Sequence, residues 1–149
     1  MSEWPSDGVE VLAGTAEPDL RWVVVADGDD ADLSTMLQVY RDGRLVRRSG
    51  FAGPALYDDA LFNEWRGRSD GLPCFVMART LPIVDRVVAT TDRGTEVVLA
   101  LSPVIERWEL RFAAAALPEG EGPGSLRVES DGITLESRPQ PMPPFPHGQ

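Results

Sequence analysis

The chain has 149 residues, and 14 basic against 24 acidic residues give it a net charge of -10. That length suits one domain with its own core, and the acidic balance argues against nucleic acid, whose phosphates are held by clustered cations. All 14 basic residues are arginine, which excludes lysine Schiff bases and a phosphate-loop lysine.

Residues 1–8, with Pro5 and Gly8, read as a loose leader. They carry neither the basic nor the apolar stretch of a signal peptide. Arg21 to Ala26 is short and β-branched and runs into Asp27-Gly28-Asp29-Asp30, which predicts a strand and an acidic turn. The turn lacks a glutamate at the twelfth position of a calcium loop. Thr35 to Arg41 and Arg44 to Ser49 flank Asp42-Gly43. That pair suits a type I′ hairpin turn, in which both central residues take positive φ. Leu37 and Val39 then face the core. Arg41, Arg44, Arg47 and Arg48 fall on this hairpin with Asp42 among them, the pattern of a solvated hairpin.

Residues 50–71 are the least regular. Gly50, Gly53-Pro54, Gly67 and Gly71 punctuate them, and Leu61 to Trp65 fits either a helical turn or a strand. A stretch of ~20 residues without clear structure inside a domain is often functional. It holds the richest polar cluster: Asp58, Asp59, Asn63, Glu64, Arg66, Arg68 and Asp70. Of the four tryptophans, Trp65 is the one placed for exposure, between Glu64 and Arg66. A tryptophan beside arginine is typical of binding hot spots. Glu64, Trp65, Arg66 and Arg68 are therefore the candidate binding residues.

From Pro73 to Thr80 both alternating sets are largely apolar, Arg79 being the charged exception, so this strand should be central and covered on both sides. Its Cys74 is the only cysteine, which rules out an internal disulfide and reads as a buried, inert thiol. Val84 to Thr91 and Thr95 to Leu101 form a second hairpin about Asp92-Arg93-Gly94, with Gly94 left-handed and Val97, Leu99 and Leu101 inward. Residues 102–117 fit two periods. Ser102-Pro103 could start a helix, but Trp108, Leu110, Phe112, Ala114 and Ala116 alternate as in a strand. The flanking hairpins favour a strand after a single turn at 103–106. Gly120 to Gly124 is Gly-rich but precedes no helix, so it is no phosphate cradle. Ser125 to Ser130 and Ile133 to Ser137 form a third hairpin about Asp131-Gly132. Residues 138–149 hold five prolines and read as an extended tail. His147 is the only histidine, and with Cys74 it cannot complete a four-ligand zinc site, so no metal or cofactor is expected.

These pieces predict an all-β chain: a two-layer antiparallel β-sandwich, immunoglobulin-like in architecture, built of hairpins with at most one short helix. The domain runs over residues 9–137, between the leader and the tail. No apolar run approaches the ~20 residues of a membrane helix. With the lone thiol, this points to a cytoplasmic protein without membrane contact. The order of elements resembles uncharacterised small all-β proteins and modules common in high-GC Gram-positive bacteria. The residues that carry the resemblance are Arg21-Trp22 before a valine strand, Leu81-Pro82, Val84 to Val88, Gly94, Phe112 to Ala114, Leu117-Pro118 and Asp131-Gly132. The resemblance implies a β fold and no catalytic residue.

The leading expectation is a non-enzymatic interaction or structural module with an unknown protein partner or self-association through a sheet edge. The first alternative is a small-ligand binder with a pocket between the sheets, lined by Arg79 or Arg111. The second is a hydrolase or isomerase using the carboxylates of Asp58, Asp59 or Glu64.

Overall fold

The computed structural model describes residues 8–56, 61–68, 71–135 and 140–141. They form strands only: β1 (Val9–Glu17), β2 (Leu20–Gly28), β3 (Leu33–Arg41), β4 (Arg44–Phe51), β5 (Phe62–Gly67), β6 (Phe75–Thr80), β7 (Arg86–Thr91), β8 (Glu96–Val98), β9 (Ala100–Leu101), β10 (Arg111–Ala116), β11 (Pro123–Ser130), β12 (Ile133–Leu135) and β13 (Gln140–Pro141). The protein is all-β, and among the described residues no helix is long and apolar enough to cross a membrane.

The strands make three sheets. The front sheet is β1-β2-β3-β4, the middle sheet β13-β5-β6-β10-β9 and the back sheet β12-β11-β7-β8. Neighbours run antiparallel, except that β13 lies parallel to β5. The turns follow the local chemistry. Asp42 and Gly43 have φ of 51° and 81°, Asp131 and Gly132 have 52° and 79°, and Gly94 has 83°. Only residues that tolerate the left-handed region can close such tight hairpins without splaying the strands.

Two cores flank the middle sheet. Trp22, Val24, Leu37, Val39 and Phe51 of the front sheet pack against Trp65, Phe75, Met77 and Phe112. On the other face, Val76, Ala78, Ala113 and Ala115 pack against Val87, Ala89 and Val128 of the back sheet. Strand β6 lies between β5 and β10, and all six of its residues are buried, which explains why both of its alternating sets are largely apolar.

Four local expectations change. Of the two readings of Leu61 to Trp65 the structure has the strand, β5 from Phe62 onward, but Trp65, placed for exposure, is only 8% exposed. The segment after Ser102-Pro103 turns at Glu106–Glu109, closed by an Ile105–Leu110 bridge and a Glu109 φ of 53°, and the strand starts later, at Arg111. Trp108, Leu110, Phe112 and Ala114 are nevertheless all buried, as their alternation predicts. The strand expected over Thr95 to Leu101 is two: β8 pairs in the back sheet and β9 in the middle sheet. Leu99 makes the crossing, its N–H donating to the Val87 carbonyl at 2.9 Å. Finally, the tail supplies β13 at the edge of the middle sheet, where a proline costs no central ladder bond.

Candidate functional site

Strand β6 joins two unlike ends of the molecule. At its C-terminal end Arg79 is fully buried under Phe51, with its guanidinium 4.4 Å from the ring centroid. Its Nε donates to Thr35 Oγ1 at 2.9 Å and its Nη1 to the Pro54 carbonyl at 2.9 Å, while Nη2 donates to the Leu33 carbonyl. These bonds tie the chain after β4 to the start of β3. Burial pushes the Arg79 pKa down to about 9, against the pull of Asp32, so the group is still charged at neutral pH. Arg79 therefore fills the space between the sheets rather than lining a pocket there. Arg111 instead donates to the carbonyls of Pro82 and Ser102.

At the N-terminal end of β6 the sheets part. A cleft of about 980 Å³ opens between β1, the β8–β9 crossing, the end of β10 and the segment before β6. Small residues wall it: Gly14 and Ala16 from β1, Ala100 from β9, and Ala114, Ala115 and Ala116 from β10. Trp22 also lines it, and the absent side chain of Gly14 makes room for that indole. A Cβ on Gly14 would stand 2.4 Å from Trp22 Cζ2.

Two strand edges border the cleft without strand partners among the described residues. β1 is outermost in the front sheet. β9 pairs only with Ala113 and Ala114, so Ala115 to Leu117 have no strand on that side. The Leu117 N–H donates to the Cys74 carbonyl at 2.8 Å. By the alternation of an antiparallel ladder, the backbone groups of Ala116 then point into the cleft.

The charge around the cleft is mainly negative: Glu17, Glu119 and Glu121 against Arg68. Hydrogen bonds from Thr91 and then Thr95 hold the Glu121 carboxyl below its usual range. Arg68 donates through Nε to Cys74 Sγ at 3.3 Å, and that bond, with the charge interaction behind it, holds its pKa above the ordinary value. Cys74 is buried and free.

The four residues singled out from the sequence do not form one surface. Trp65 faces the front core. Glu64 lies on the opposite face of β5, buried, with its Oε1 accepting from Arg66 Nε at 2.9 Å. Its Oε2 is buried without a partner among the described residues. Arg66 is exposed and also donates to the Gly124 carbonyl at 2.8 Å. Arg68 alone reaches the cleft. Asp58, Asp59 and Asp70 lie outside the described residues. In the acidic turn, Asp29 Oδ1 accepts the N–H groups of Ala31 at 3.0 Å and Asp32 at 2.9 Å. No cluster of potential metal ligands occurs among the described residues.

Sequence reasoning missed the cleft because its walls are distant in the chain. The available signal was the run Ala113 to Ala116, too small to fill the space between two sheets, ending where the pairing strand departs. Such an arrangement offers backbone donors and acceptors, apolar floor and rim carboxylates, the groups that hold an extended chain. No protein-family model, no curated protein and no solved structure matches the chain.

Proposed function

We propose that the protein is a non-enzymatic interaction module that receives an extended segment of a partner chain in the cleft at the N-terminal end of β6. The observation that carries this reading is the meeting of two strand edges that have no strand partner among the described residues, β1 and Ala115 to Leu117, across about 980 Å³ of open space. A strand laid there gains main-chain hydrogen bonds from the edges, while the alanine walls leave room for its side chains. The scaffold is in this reading a sandwich, with the front and middle sheets as its two layers and the back sheet packed behind. Supporting it is the core that the first two share.

Ala100 is exposed on the cleft wall, so Ala100→Trp fills the cleft without disturbing either core. Twelve-residue peptides displayed on phage are selected on the wild-type protein, and the enriched sequences are titrated calorimetrically against both forms. The substitution should weaken binding at least tenfold and change urea stability by no more than about 0.5 kcal/mol. Failure to enrich any peptide, or equal binding by A100W, overturns the assignment.

A further inference from the structure

The front sheet carries a surface complementary to the cleft. Between β3 and β4 the register slips: Val39 pairs with Arg47 and Tyr40 with Leu45, leaving Val46 opposite no residue. Such a bulge re-aims a side chain. Two adjacent apolar residues consequently face solvent, Leu45 at 41% and Val46 at 48% exposure. Arg44 and Arg47 flank them, and Arg44 forms no ion pair among the described residues. β4 is the outermost strand on its side of the front sheet. The hairpin is therefore a cationic, apolar spot on an acidic protein.

Resting on the cleft as a binding site, we infer that its occupant is the β3–β4 hairpin of a second copy of this chain, the two copies exchanging hairpins. Three observations fit together. The rim carboxylate Glu119, together with Glu17, which lies 3.8 Å from Arg41 of its own hairpin, suits Arg44 and Arg47. Val98, 53% exposed on the cleft wall, and the alanines beside it suit Leu45 and Val46. The hairpin and the cleft also lie at the same end of the molecule. The Asp42 N–H donates to the Asp19 carbonyl at 3.0 Å, and Arg41 Nη2 donates to the carbonyl of Gly71, a cleft residue, at 3.3 Å.

Their common location decides the symmetry. Arg41 of the hairpin touches the rim of its own cleft, but β2 and β3 separate β4, with Leu45 and Val46, from the β1 edge. A twofold axis through this end lets each hairpin enter the other copy's cleft, which closes the assembly as a dimer instead of an open chain. The net charge of -10 on each whole copy disfavours other arrangements.

The test is sedimentation velocity of the full chain over a wide concentration range, with two charge-reversed forms. One carries Arg44→Glu and Arg47→Glu; the other carries Glu17→Arg and Glu119→Arg. The wild type should dimerise, and each form alone should associate at least tenfold more weakly. An equimolar mixture should dimerise again, because both exchanged contacts then join opposite charges. Val46→Asp, at the exposed bulge, should also give a monomer and serves as the probe if a charge reversal unfolds the chain. A wild type that stays monomeric, or a dimer that survives all three changes, overturns the inference. If the monomer still binds displayed peptides in a manner sensitive to A100W, the cleft stands and only its occupancy by a second copy fails. If no peptide binds either, the binding reading fails as well.

Discussion

The two ends of β6 solve one problem in opposite ways. Wherever chain segments leave a sheet, backbone groups lose their ladder partners and need others. At the Arg79 end the partner is internal: one guanidinium gathers Leu33, Thr35 and Pro54, and Phe51 covers it. At the Cys74 end glycine and alanine make up much of the walls, and the edges of β1 and β10 have no strand partner there among the described residues. The closed end should therefore respond to substitution through stability, and the open end through binding.

The largest expected effect comes from Arg79→Met, which keeps the bulk and removes the donors. Three acceptors left without partners cost about 1–3 kcal/mol each, partly offset by no longer burying a charge, so we expect a loss of about 3–5 kcal/mol. Urea unfolding monitored by tryptophan fluorescence measures it. A loss below about 1 kcal/mol would mean that the guanidinium does not hold that end together, and the contrast between the ends would collapse.

Trp65→Ala should cost about 3–5 kcal/mol, because the indole lies in the front core, folded so closely over Gly67 that a Cβ there would meet its Cη2 at 1.9 Å. The cleft should still bind the same peptides under conditions where the variant is folded. Lost binding with unchanged stability would restore Trp65 to the surface role that its neighbours suggest. Those neighbours mislead for a physical reason. In a strand, successive side chains point to opposite faces, so Glu64 and Arg66 describe the other side of β5 and carry no information about Trp65.

Local patterns were legible in the sequence, and contacts between distant segments were not. The Asp-Gly turns, Gly94 and the doubly apolar β6 are local patterns, and each appears in the structure where its chemistry requires. Arg79 was visible as a charge in an apolar row with Phe75 and Met77, but its partners come from residues 33–54 and no spacing announces them. The split of β8 from β9 depends on which sheet each half finds. The cleft needs residues 14–17, 97–100 and 114–121 together, so it exists only after the sheets have assembled.

The smallest expected effect lies in the pH dependence of stability. Arg127 holds the Glu96 carboxyl below its ordinary value, as Thr91 and Thr95 hold that of Glu121. Carboxyls with depressed native pKa values bind protons more readily in the unfolded chain. Their contribution is present above the ordinary value of 4.5 and is lost as the pH falls through the native value. Arg79 has the opposite consequence at the other extreme. Its native pKa, about 9, lies below its unfolded value, so above that pH the unfolded chain holds the extra proton. Stability from this group therefore rises with pH once the native group begins to lose its proton. Thermal melts of the wild type and of Arg79→Met across both ranges separate the two contributions. Both proteins should lose stability in acid, since neither carboxyl touches Arg79. Only the wild type should gain on the alkaline side, measured as the difference between the two curves, which cancels the titration of the tyrosines they share. Parallel curves above pH 9 would show that the buried guanidinium keeps its proton at full strength, and the closed end would then be held by hydrogen bonds that cost nothing in charge burial.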